Sequence, residues 1–161
     1  MRFVLLLLLC FVSTTSYSGC AEQSVFLAPH HAFGFDVAVR DTHTLQASFN
    51  VTPGYYLYRD RIIFSIKDGA AGITAVRFPK GEMEDDPNFG YMEVFHHSFH
   101  VEITLDRART DATSITLNTS YQGCSEKGLC YLPITTATQL NMPDTKTGVR
   151  TPPAMMMTPS A

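Results

Sequence analysis

Apolar and polar residues alternate along most of the chain. The pattern reads Phe35-x-Val37-x-Val39, Leu45-x-Ala47-x-Phe49-x-Val51, Ile62-x-Phe64-x-Ile66, Phe99-x-Val101-x-Ile103-x-Leu105 and Ile115-x-Leu117-x-Thr119-x-Tyr121. A period of two puts every second side chain on one face, which predicts strands with one buried side. Turn-forming clusters separate the runs at Thr52-Pro53-Gly54, Lys67-Asp68-Gly69, Pro79-Lys80-Gly81, Asp86-Pro87-Asn88 and Asp106-Arg107. Their spacing, near the ~8–12 residues of antiparallel sandwiches, predicts an all-β, immunoglobulin-like antiparallel β-sandwich of about seven to nine strands. The chain has no tryptophan and lacks the widely spaced cysteine pair of antibody domains.

The alternation is absent at both ends. Met1-Arg2-Phe3, an apolar stretch over residues 4–12 and a small, polar stretch over 13–19 form the three parts of a secretory signal. That stretch is far shorter than the ~20 residues a membrane span needs, so residues 1–19 are expected to be an export address. Tyr17-Ser18-Gly19-Cys20 also resembles a lipobox, and maturation there would tether the protein by lipid at Cys20. The mature domain is expected over residues 22–140. From 141 to 161 the composition turns to Pro, Thr, Met and Ser, including Met155-Met156-Met157, which predicts a disordered tail.

Roughly 120 to 140 mature residues make one domain with one core. A net charge of -3 with scattered Lys and Arg provides no basic footprint for nucleic acid or an anionic membrane. No nucleophile elbow, phosphate-cradling glycine loop or zinc-ligand spacing occurs, which sets aside hydrolase and nucleotide-binding chemistry.

Cys10 leaves with the leader, so of the four cysteines Cys20, Cys124 and Cys130 remain at most; if Cys20 is lipidated or cleaved away, the pair left in an oxidising compartment is Cys124 and Cys130. They lie in Tyr121-Gln122-Gly123-Cys124-Ser125-Glu126-Lys127-Gly128-Leu129-Cys130-Tyr131-Leu132-Pro133, at the mouth of an expected hairpin. Closing so small a ring stabilises by only about 2 to 2.5 kcal/mol. A pair that opens and closes is therefore the sharper reading, and a structural hairpin staple the blander one.

That cysteine segment, together with Gly54-Tyr55-Tyr56-Leu57-Tyr58-Arg59 and Asp85-Asp86-Pro87-Asn88-Phe89-Gly90-Tyr91-Met92-Glu93-Val94-Phe95, resembles the N-terminal periplasmic domain of the thiol:disulfide interchange protein DsbD. The resemblance spans roughly residues 24–140. It implies a periplasmic relay in which a reversible Cys124–Cys130 disulfide takes reducing equivalents from a thioredoxin-like donor. The acceptors would be thioredoxin-fold proteins of the disulfide isomerase or cytochrome c maturation type.

By the family pattern Cys130 forms the mixed disulfide and Cys124 resolves it, with no metal or bound cofactor. A cap loop over Asp85, Asp86, Asn88 and Phe89 shields the pair, with Phe89 lying over sulfur, and Tyr56 and Tyr58 line the site. Pro87-Asn88 departs from the family, which often places an aromatic residue one position earlier. Family members usually continue into a membrane electron-transport domain and a thioredoxin-like domain, whereas this sequence stops at Ala161. The expected reductant is therefore a separate protein, such as a membrane electron transporter, and the domain itself a monomer.

Carboxylates at Glu82, Glu84, Asp85 and Asp86 would disfavour a nearby thiolate, or simply form a solvated turn. His96, His97 and His100 with the methionine run invite a copper site. However, neighbouring strand residues face opposite ways, and His96 and His100 would lie ~13 Å apart. The alternative of a different class is a non-enzymatic β-sandwich binding or assembly module with a structural disulfide.

Overall fold

The computed structural model describes residues 26–68, 71–107 and 113–144. Within them the chain forms a short helical turn α1 (Pro29–Ala32) and eleven strands: β1 (Phe33–Val39), β2 (Thr44–Val51), β3 (Tyr55–Tyr58), β4 (Ile63–Asp68), β5 (Ala71–Arg77), β6 (Glu82–Asp86), β7 (Gly90–Phe95), β8 (Phe99–Arg107), β9 (Thr113–Tyr121), β10 (Gly123–Ser125) and β11 (Ile134–Met142). A 3-10 turn over Arg59–Arg61 follows β3. The all-β, immunoglobulin-like expectation matches, with more strands than the seven to nine that alternation suggests.

The extra strands have local causes. All four residues of β3 are buried, so it has no polar side to alternate with. β6, with the sequence EMEDD, carries a single apolar residue, and β10 is three residues long. Elsewhere the period-two reading transfers directly: Phe99, Val101, Ile103 and Leu105 of β8 are buried, while His100 and Glu102 between them and Asp106 after them face solvent.

Every strand pairing is antiparallel. One sheet runs β1-β2-β8-β5, a second β11-β9-β4, and a third β10-β3-β7-β6. The buried faces of the first two contribute Leu45, Phe49, Val101, Ile103, Ile115, Leu117 and Met142 to one contiguous core. Met142 is 1% exposed and closes β11, so Asn141 and Met142 continue the sandwich beyond the expected boundary at 140. The expected leader over 1–19, Cys10 and Cys20, and tail residues 145–161 lie outside the described residues. Among the described residues no helix is long and apolar enough to cross a membrane.

The third sheet positions the site. Along β3, Tyr55 and Leu57 join the main core, whereas Tyr56 and Tyr58 turn to the other face and pack with Val94 and Cys124 in a separate small cluster. Four buried residues give little hydrophobic stabilisation beside the twenty of the main core. Hydrogen bonding must therefore order this cluster.

Candidate functional site

Cys124 and Cys130 face each other across an antiparallel bridge. The Ser125 amide donates to the Leu129 carbonyl at 2.7 Å and the Tyr131 amide to the Gly123 carbonyl at 3.0 Å, so the cysteines occupy a non-hydrogen-bonded position, where strands approach most closely. Their Cα atoms are 4.0 Å apart and their sulfurs are bonded. The intervening turn closes with the Gly128 amide on the Ser125 carbonyl at 2.9 Å, and Gly128 adopts φ +92°, a left-handed conformation that glycine tolerates.

Gly123 serves another purpose. A Cβ there would lie 2.3 Å from the Tyr56 carbonyl oxygen and 2.7 Å from the Phe33 ring. The missing side chain lets β10 lie flush on β3, with Cys124 opposite Tyr56 in the pairing. The Glu126 amide then donates to the Gly54 carbonyl at 2.9 Å, pinning the cysteine turn to the β2–β3 turn.

β3 brings two phenols to the sulfurs. The Tyr58 hydroxyl lies 3.0 Å from Cys124 Sγ and 3.9 Å from Cys130 Sγ. Tyr56 and Tyr58 both donate to Asp86 Oδ2 at 2.6 Å. Asp86 Oδ1 accepts the backbone amides of Asn88 at 2.8 Å and Phe89 at 3.0 Å. One carboxylate, 5% exposed, therefore joins β3 to the loop between β6 and β7.

The electrostatics follow from those four donors. Burial alone would raise the Asp86 carboxyl, but the two phenols and two amides outweigh it and hold it below its usual value. Burial, then the hydrogen bond to Asp86, pushes the Tyr56 phenol up to about 12, and the same causes raise Tyr58 further. Both phenols stay protonated at neutral pH. Since the single Tyr58 proton goes to Asp86, its oxygen presents a lone pair to Cys124.

Over the pair lies the β6–β7 loop. Asn88 Nδ2 donates to Cys130 Sγ at 3.3 Å. The Phe89 ring sits edge-on to Tyr58 with centroids 5.1 Å apart, and the Arg61 guanidinium covers it at 4.7 Å. The group found against sulfur is thus the Asn88 amide, while Phe89, 37% exposed, packs beside it on Tyr58. Asp85 points away, exposed and opposite Tyr91 on β7. Cys124 is fully buried and Cys130 half-buried, so an incoming group reaches Cys130 first.

Of the residues expected around the cysteines, Tyr56, Tyr58, Asp86, Asn88 and Phe89 gather there and Asp85 does not. Sequence reasoning missed Arg61, which the 3-10 turn after β3 folds back over the loop; its three-residue offset from Tyr58 fits no strand period. The acidic cluster divides: Asp86 enters the site, and Glu84 Oε1 accepts from His96 Nε2 at 2.8 Å. His96 Nδ1 faces Glu126 at 3.3 Å, His100 pairs with Ser48, and His97 is exposed. Among the described residues no group of three or more His, Cys, Asp or Glu is arranged to hold a metal. The methionine run lies outside them.

Residues 23–142 match the family model described as "Thiol:disulfide interchange protein DsbD, N-terminal". The thiol:disulfide interchange protein DsbD of Salmonella typhimurium strain LT2 is 37% identical over 142 residues, covering 86% of this chain and 24% of that one. Its namesake in Escherichia coli K12 is 34% identical over the same coverage. The chain thus spans about a quarter of the length of the curated relatives it matches. Among solved structures, the reduced N-terminal domain of DsbD from Neisseria meningitidis superposes with a TM-score of 0.63 at 28% identity, over 71% of this chain and 89% of that one. A complex between the DsbD and PilB N-terminal domains of the same organism matches with a TM-score of 0.58 at 29% identity, over 71% and 87%.

Proposed function

Because this chain belongs to the family of N-terminal domains of the thiol:disulfide interchange protein DsbD, we propose that it is a periplasmic relay passing electron pairs through the Cys124–Cys130 disulfide. The donor is a thioredoxin-like protein and the acceptors are thioredoxin-fold oxidoreductases of the disulfide isomerase or cytochrome c maturation type. The observation that carries the reading is the asymmetry of the pair. Cys124 is sealed against a tyrosine–aspartate network, while Cys130 is half-exposed beneath the β6–β7 loop.

In reduction, a donor thiolate attacks Cys130 Sγ. A donor–Cys130 bond forms, the Cys124–Cys130 bond breaks, and its electron pair leaves on Cys124. The donor's second thiolate then attacks the mixed disulfide at the donor sulfur and releases Cys130 as thiolate. The donor departs oxidised and the domain holds the dithiol.

Delivery runs the other way. Cys130 thiolate attacks an acceptor disulfide, expelling one acceptor sulfur as thiolate. The Cys124 thiol, held against the Tyr58 oxygen, attacks Cys130 Sγ: the Cys124–Cys130 bond re-forms, the bond from Cys130 to the acceptor breaks, and the second acceptor sulfur leaves with the proton that Cys124 gives up. No metal or bound cofactor takes part. The Neisseria complex of a DsbD N-terminal domain with a PilB N-terminal domain supports a protein partner docking on this fold. The leader-like residues 1–19 support export, with Cys20 a candidate lipid anchor, and the domain is proposed to work as a monomer.

The test is mixed-disulfide trapping. With Cys124→Ser the resolving sulfur is gone, and a purified thioredoxin-fold donor carrying its own resolving-cysteine substitution is expected to accumulate as a covalent adduct at Cys130. Absence of an adduct with every such protein tried would sink the relay. A reduction potential of roughly -180 to -270 mV supports exchange, whereas a value below about -300 mV favours a structural staple.

A further inference from the structure

The two sulfurs of the pair face groups of opposite polarity. At Cys124 the nearest polar atom is the Tyr58 oxygen, whose only proton is directed to Asp86 Oδ2 at 2.6 Å. Behind that oxygen stands a carboxylate, so negative charge on Cys124 is opposed and a thiol there would donate into the Tyr58 lone pair. At Cys130 the nearest polar group is the Asn88 amide nitrogen at 3.3 Å. A disulfide sulfur has no proton, so only the amino end of that amide makes a hydrogen bond with it.

We propose that Asn88 is a catalytic residue of this exchange site: its side-chain amide donates a hydrogen bond to Cys130 Sγ and so settles the negative charge of the reduced pair on Cys130. This deepens the relay reading and rests on it for the identity of the reaction. The loop is built to deliver the amide. Asp86 Oδ1 accepts the Asn88 and Phe89 amides, fixing the turn so that the Asn88 side chain lies over Cys130 while the Phe89 ring goes to Tyr58.

Atoms balance simply. When Cys130 attacks an acceptor disulfide, the bond from Cys130 Sγ to the acceptor sulfur forms, the acceptor S–S bond breaks, and the charge moves from Cys130 to the departing acceptor sulfur. The amide hydrogen bond is strongest before attack and when Cys130 is released again, since hydrogen bonds to ionised groups are roughly twice as strong as neutral ones. The amide exchanges no proton. It therefore acts in both directions of electron flow.

The test uses the full exported chain with Cys124→Ser, leaving Cys130 to be followed by iodoacetamide alkylation and peptide mass spectrometry across pH 5–9. With Asn88→Leu, which keeps the bulk and removes the donor, alkylation at neutral pH is expected to slow about tenfold, with the pH profile moved up by about one unit. Asn88→Asp replaces the donor by a charge and is expected to move the profile at least as far. Asn88→Gln is expected to restore part of the loss. If Asn88 only covers the sulfur, alkylation rises at every pH in the leucine variant with an unmoved midpoint, and the proposal fails. No partner protein enters the measurement. A shifted profile with no trapped partner would keep the hydrogen bond and discard the relay, and the converse would discard Asn88 alone.

Discussion

The Tyr58 hydroxyl oxygen lies 3.0 Å from Cys124 Sγ, a polar contact to a sulfur sealed from solvent. Tyr58→Phe removes that oxygen and also leaves the Asp86 carboxylate one donor short. Losing one donor to a buried charge costs about 1–3 kcal/mol. The variant is therefore expected to unfold at lower denaturant while keeping its disulfide. Its second exchange step, attack by Cys124, is expected to slow more than the first, and quenched-flow measurement of mixed-disulfide decay separates the two.

Asp86 makes the site sensitive to acid. Burial would raise its carboxyl, but the two phenols and two amides outweigh burial and hold it below its usual value. A lowered folded-state value stabilises above the unfolded value and loses that stabilisation as pH falls through the folded one. Denaturant midpoints measured from pH 6 to pH 2 should decline below about pH 4 in the native protein and more shallowly in Asp86→Asn. Tyr56 has the opposite sign: raised to about 12, it supports the fold below pH 10 and ceases to as pH climbs past its folded value. Asp86→Ala, which orphans four donors, is expected to cost about 2–4 kcal/mol.

Two glycines of the cysteine hairpin differ in what a methyl group would meet. At Gly123 the added Cβ lies 2.3 Å from a backbone oxygen, which cannot yield without parting β10 from β3. Gly123→Ala is expected to cost at least about 2–3 kcal/mol. At Gly128 nothing lies within 4 Å, and only the left-handed backbone opposes alanine, at about 1–2 kcal/mol. Thermal unfolding that ranked them in the reverse order would contradict the placement of the hairpin on β3.

Arg61 covers the Phe89 ring at an exposed position, where such a contact is worth about 0.5–1 kcal/mol. That corresponds to a two- to fivefold rise in loop opening for Arg61→Ala. Hydrogen exchange at the Phe89 amide, which Asp86 otherwise holds, reads this directly. Arg61→Lys should fall between, and equal exchange in all three proteins would leave Arg61 without a part in closing the loop.

How much of this could be read from sequence depends on where periodicity survives. β8 and β9 were legible because one face meets solvent and the other the core. In β3 the period of two puts Tyr56 and Tyr58 on one face, but the resemblance is what pointed to them. β3 was not visible as a strand by pattern, since both its faces are covered. Phe89 was expected over sulfur as the one large apolar residue in its loop. The actual placement is set by Asp86 Oδ1 capturing two successive amides, a turn geometry that sends the amide of Asn88 to Cys130 and the ring to Tyr58 and Arg61. The resemblance located this loop, and its Pro87-Asn88 departure marks the place where this chain differs at the sulfur.

β3 has a consequence for folding fidelity. Its odd residues, Tyr55 and Leu57, complete the sandwich interior, and its even residues, Tyr56 and Tyr58, equip the sulfurs. A slip of one residue would exchange the two sets, stranding Leu57 among the polar groups and driving two phenols into a hydrocarbon interior without acceptors. A mis-registered molecule is therefore penalised on both faces at once. Four residues act as a checkpoint, so that a chain whose interior has packed correctly has, by the same event, armed its cysteines.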